Sequence, residues 1–139
     1  MTTREQSSTL HRLKDSDLKL ADPAADIRGR KVIDVSGEEI GKVDDLLIDD
    51  EERKVRFLEV ASGGVLGIGE TKFLMPVEAV AQITSDEVAI NHSRTRVAGA
   101  PRYDPNLMER PHLKDIYGYY GYSTPFWIPG YNYPRYPYL

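Results

Sequence analysis

The stretch from Lys54 to Ala61 carries apolar side chains on both of its faces, Val55 and Phe57 on one and Leu58 and Val60 on the other. Side chains of a strand alternate between faces, so such a strand must be buried on two sides. One face belongs to the interior of a sheet or barrel, and the other must be covered from outside. The neighbouring sequence agrees with β structure, because short apolar runs recur and each is stopped by turn residues. Lys31 to Val35 is closed by Ser36-Gly37, and Ile40 to Asp49 by Asp49-Asp50-Glu51-Glu52. Thr71 to Met75 is closed by Pro76, which has no N–H to give to a ladder. Val80 to Thr84 and Glu87 to Asn91 flank Ser85-Asp86. Within the second run the inward phase flips between Val43 and the pair Leu46 and Ile48, which predicts a β-bulge near Asp44-Asp45. The expectation is an all-β fold, a small antiparallel barrel of about five or six strands, closed or nearly so. Its predicted interior holds Val43, Phe57, Val60, Phe73, Met75, Val88 and Ile90.

The chain of 139 residues divides by composition into three zones. Residues 1–25 are polar and mixed in charge, with a weak helical spacing in Leu10, Leu13 and Leu18, and predict a short helical or irregular arm. Residues 26–100 are the barrel. Residues 101–139 form an extension rich in Tyr, Pro and Gly. A unit of about 70 residues draws only ~3–5 kcal/mol from its own core, and each aromatic docked on its outside adds roughly 1.5–3 kcal/mol. Only Phe57, Phe73 and Tyr103 precede the extension's aromatic run, which begins at Tyr117. The extension is therefore the natural cover for the outer face. Tyr119, Tyr120, Phe126 and Trp127 are the residues expected there, on their own barrel or on that of a homodimer mate. Pro134 and Pro137 disfavour helix and central strand, so an extended course is expected for the last residues.

The charges narrow the function. A net charge of −4, with signs alternating along the chain, gives no basic patch for phosphate contact. The aromatic run could stack on bases, but Arg135 is its only charged residue from Tyr117 onward, so no specific nucleic-acid partner is expected. No apolar signal region follows the first residues and no run is long enough to span a bilayer, so a cytoplasmic protein is expected. The absence of cysteine removes thiolate chemistry.

The acidic residues Asp44, Asp45, Asp49, Asp50, Glu51 and Glu52 lack the spacing and central Gly of a calcium loop and read as solvated turn carboxylates. Gly63, Gly64, Gly67 and Gly69 lack the order of a phosphate-binding loop. They read as a connector that offers Val65, Leu66 and Ile68 to a partner or to the extension. His11, His92 and His112 stand apart in polar or Pro-flanked surroundings. No catalytic, metal or cofactor set is expected, and hence no enzyme.

Gly29, Val32, Asp34, Gly37, Ile40, Gly41, Val43 and Asp45 stand in the pattern G-x-x-V-x-D-x-x-G-x-x-I-G-x-V-x-D. That pattern resembles the opening of a PRC-barrel domain. Val55 to Val60 resembles the family's next strand, and Leu74-Met75-Pro76 its L-V-P strand end. The resemblance runs from Asp26 to about Asp104. Further on, Ala100 to Pro105 and Ile116 to Gly121 look like the region after the barrel in the branch of photosynthetic reaction-centre H subunits. That branch's transmembrane helix is absent here, as is the N-terminal domain of the ribosome maturation factors, a second branch. The chain thus resembles a stand-alone member of the family. The resemblance implies a β-barrel adaptor that binds a protein partner and has no cofactor of its own. The other implied roles are an RNA-linked accessory to ribosome maturation and an electron-transfer accessory of the light reactions of photosynthesis.

Overall fold

The structure, a computed structural model, describes residues 10–15, 26–49, 54–63, 70–101, 103 and 110–122. In chain order its elements are β1 (Leu10–Arg12), β2 (Lys31–Ile33), β3 (Glu39–Asp49), β4 (Lys54–Ser62), β5 (Thr71–Pro76), β6 (Val80–Ile83), β7 (Glu87–Ile90), α1 (Arg94–Ala98) and α2 (Arg110–Tyr119). The strands β2 to β7 fall on the apolar runs, and β5 ends at Pro76, where a 3-10 turn, Val77–Ala79, takes over.

The strands form one sheet of seven in the order β5-β4-β3-β2-β7-β6, with β1 pairing β3 off this path. Two features correct the antiparallel barrel of five or six strands. First, β2 and β7 pair in parallel, Lys31 opposite Glu87 and Val32 opposite Val88, so the sheet is mixed. Second, among the described residues no ladder joins β5 to β6, and the hydrogen-bonded path is open. The reason lies in the connections. Hairpin turns dictate only the pairing of consecutive strands, and the ladders β2–β3, β3–β4, β4–β5 and β6–β7 are all antiparallel. The parallel β2–β7 pair requires β5 and β6 to run in the same sense, which the Val77–Ala79 turn permits and a hairpin cannot.

The arm is corrected as well. Leu10–Arg12 is not helical but a strand, with Leu10 opposite Asp49 and Arg12 opposite Leu47. It shares one edge of β3 with β2, while β4 takes the other. The Leu10–Leu13 spacing buries Leu10 in the sheet and Leu13 in the short 3-10 turn that follows.

The ladder between β3 and β4 carries two bulges. In the first, Val43 faces Val60 and Asp45 faces Glu59, leaving Asp44 as the extra residue where the apolar phase flips. In the second, Leu47 faces Phe57 and Ile48 faces Val55, so Arg56 is extra. Between them β4 is buried from Val55 through Val60. Val43, Phe57, Val60, Met75, Val88 and Ile90 belong to the core, and Phe73 is half-buried against it.

Gly41 marks the tightest approach of the two strands, since a Cβ there would stand 2.3 Å from the carbonyl oxygen of Ala61. The β2–β3 turn is tied by Asp34, whose Oδ1 accepts the N–H groups of Ser36 and Glu38, each at 2.9 Å. Gly37 takes the positive φ of 84° that the turn needs.

Candidate interaction surface

The bulge at Arg56 corrects the expectation that Val55 and Phe57 share a face, because they pair with the alternating neighbours Ile48 and Leu47. Phe57 is the one that meets α2. Leu113, Ile116, Tyr117 and Tyr120 are all buried and recur at the i, i+3, i+4, i+7 spacing of one helical face. Pro111 is tolerated in the first turn, where its missing N–H has no intrahelical partner to lose. The helix ends in a Schellman motif around Gly121, whose φ is 88°. There the Tyr122 N–H donates to the Tyr117 carbonyl at 2.9 Å and the Gly121 N–H to that of Gly118 at 3.1 Å. The Tyr117 ring meets Phe57 in an edge-to-face contact, with centroids 5.3 Å apart and planes at 60°. Such a contact adds about 0.5–1.5 kcal/mol to the area that two rings bury.

The end of α2 is held by a second aromatic cluster. Ser93 caps α1, its Oγ accepting the Arg96 N–H at 3.1 Å. Asp34 Oδ2 accepts the Arg94 N–H at 2.9 Å, which joins the β2–β3 turn to the same helix start. The N–H groups of Glu38, Arg94 and Ser36 together hold the Asp34 carboxyl below its usual range. Arg96 lies over the Tyr119 ring, 4.7 Å from its centroid, and its guanidinium also donates to the Tyr119 carbonyl. The Tyr119 hydroxyl donates back to the Arg96 carbonyl. His92, just after β7, packs against Tyr120 with centroids 4.8 Å apart and planes tilted by 56°, and edge-to-face against Tyr122 at 5.9 Å, with its Nε2 at 3.0 Å from the Tyr122 hydroxyl. Burial, helped by Arg96, pushes the imidazole below its usual range, and burial pushes the Tyr120 phenol up. His92 is thus not in the polar setting that its sequence neighbours suggest.

A third cluster ties β1 to the sheet. The Glu59 side chain is fully buried and its Oε1 lies 2.8 Å from Arg12 Nη2 and 3.5 Å from Lys72 Nζ. Lys72 also reaches Asp44 at 3.0 Å, and Arg12 Nε donates to the Tyr103 hydroxyl at 3.3 Å. Desolvation raises the Glu59 carboxyl, opposed by Arg12 and Lys72. Asp45, facing Glu59 across the ladder, is fully buried, with Arg28 4.0 Å away, and Asp49 is buried 3.8 Å from the buried Arg56. These two are not the solvated turn carboxylates that the sequence suggests: the strand runs to Asp49, and the bulge at Asp44 turns Asp45 into the protein. Asp50, Glu51 and Glu52 lie outside the described residues.

Beside the open edge of β5 lies a cleft of about 550 Å³ lined by Glu70, Thr71, Lys72, Phe73, Ala98, Ala100 and Tyr103. Its cation, Lys72, is already engaged by Asp44 and Glu59. Among the described residues no group of three or more His, Cys, Asp or Glu is placed to hold a metal ion. Nor is any helix among them long and apolar enough to cross a membrane.

Of the residues expected at a partner surface or as barrel cover, Tyr120 is buried and Tyr119 half-buried against α1. Val65, Leu66, Ile68, Phe126 and Trp127 lie outside the described residues. Tyr117, at the start of the expected aromatic cover, is buried too, whereas Leu113 and Ile116 are cover that the aromatic count does not point to, although their helical spacing is written in the sequence.

A sequence model of the PRC-barrel domain matches residues 21–95, more than half of the chain. No curated protein matches it.

Proposed function

Because the chain belongs to the PRC-barrel family, we propose that it is a non-catalytic interaction module, which binds a protein partner through its loops and aromatic extension and holds that partner in an assembly. The observation that carries this reading is how the polar groups are used. Glu59 is engaged by Arg12 and Lys72, Asp34 by three backbone N–H groups, and His92 by Tyr122, so each fastens one element to another. A reaction needs such groups converging on an open cleft. Contact with a partner then falls to apolar side chains outside these clusters. Val65, Leu66 and Ile68 in the glycine-rich connector are our candidates, with Phe126 and Trp127 beyond the helix. A cytoplasmic setting belongs to the same proposal.

The test is affinity capture followed by mass spectrometry, run in parallel on the full chain, on Val65→Ser/Leu66→Ser/Ile68→Ser and on Phe126→Ser/Trp127→Ser. The proposal predicts a discrete protein partner that the full chain retains and at least one triple or double variant loses. A partner retained equally by all three would place binding elsewhere. Turnover of a small molecule by the purified chain would overturn the non-catalytic reading.

A further inference from the structure

The cluster around His92 joins segments that are far apart in sequence and does so with the one side chain whose charge changes near neutral pH. We propose that His92 and the tyrosines around it form an acid-sensitive latch, which fastens the C-terminal end of α2 to the barrel and loosens when the imidazole takes up a proton. The inference concerns the chain itself and stands whether or not a partner binds the face beneath.

The geometry sets the direction. The imidazole is packed against two tyrosine rings, and its Nε2 is taken up by the Tyr122 hydroxyl. An added proton would leave that half-buried ring charged. The groups that face it offer little compensation. From α1 comes Arg96, a like charge that already occupies the Tyr119 ring. From the end of α2 come the phenols of Tyr120 and Tyr122, both held neutral by burial. From the turn after β5 comes Glu78, whose charge acts on Tyr122. From the β2–β3 turn comes Asp34, whose oxygens are filled by Ser36, Glu38 and Arg94 N–H groups. The faces of Tyr120 and Tyr122 attract a cation weakly, and this works against release. Burial and Arg96 act together in the other direction, and they prevail in depressing the imidazole.

Linkage gives the size and sign. A base whose folded pKa lies below its free value of 6.5 binds its proton better when undocked. Docking is then fully favoured above 6.5 and weakens as pH falls below it, down to the docked pKa. Between about pH 7.5 and about pH 5.5 one such histidine shifts the docking equilibrium by up to about tenfold.

The experiment uses the full chain. The His92 imidazole is titrated by NMR, its signal assigned by its loss in His92→Gln. Amide-exchange protection, corrected for intrinsic rates, is followed across residues 113–122, with β4 amides as the internal control. The expected result is an imidazole pKa below 6.5 in the wild type. Protection of residues 113–122 should fall by up to about tenfold on acidification while β4 holds, and the drop should vanish in both His92→Gln and His92→Phe. An imidazole pKa at or above 6.5 would overturn the latch. So would protection that does not change with pH, or an equal drop in a folded variant.

Discussion

At Gly41 a methyl group would meet the Ala61 carbonyl oxygen at 2.3 Å and Val60 Cγ1 at 3.2 Å. The nearer atom is backbone in a central ladder, so nothing can swing aside. Gly41→Ala is predicted to cost about 1–3 kcal/mol, read as a lower urea midpoint. Two buried carboxyls respond oppositely to acid. Asp34 is depressed below its usual 3.8 by the N–H groups it accepts, so its contribution is present above that value and is lost as pH falls through the folded pKa. Asp34→Asn should therefore be the less stable protein at neutral pH, and the gap should close in acid. Glu59 is raised above its usual 4.5 by desolvation, so the folded state holds its proton more tightly and stability falls as pH rises from 4.5 to the folded pKa. In Glu59→Gln that decline should be missing from the pH dependence of the urea midpoint. If its curve keeps the wild-type slope there, the Glu59 carboxyl is not raised in the folded protein.

At the scale of elements, what the sequence discloses depends on whether a residue's neighbours make its phase visible. The Asp44 bulge is legible because the apolar side switches from Val43 to Leu46 across it. The Arg56 bulge is not, because β4 is apolar on both faces and a phase change among apolar neighbours leaves no mark. The parallel β2–β7 pair is hidden for another reason, since alternation locates strands without saying which distant strand lies beside them. The helix α2 is written plainly in Leu113, Ile116, Tyr117 and Tyr120, but Pro111, Gly118 and the surrounding tyrosines give the stretch the look of an irregular tail. The partners of His92 and Glu59 come from residues 30 and 47 positions away, and no local pattern announces them. The contact between Phe57 and Tyr117 supplies the test for this scale. Tyr117→Ala should cost roughly 3–5 kcal/mol, as large aromatic truncations in cores do. A double-mutant cycle with Phe57→Leu should give a coupling of about 0.5–1.5 kcal/mol, and additive effects would mean that the two rings do not support each other.

For the whole molecule, the sheet and the C-terminal helix make one folding unit. The outer face of β4 requires a cover, and residues 113–122 supply it, with ties to α1 on one side and to Phe57 beneath. The most direct measurement is a urea melt of the full chain beside a form ending at Pro111, each at several protein concentrations. The account predicts a lower midpoint for the shorter form and a smaller dependence on urea, because less surface is buried in its folded state. The full chain's midpoint should not vary with concentration, since its cover is its own. Equal midpoints and equal slopes in the two forms would contradict the account.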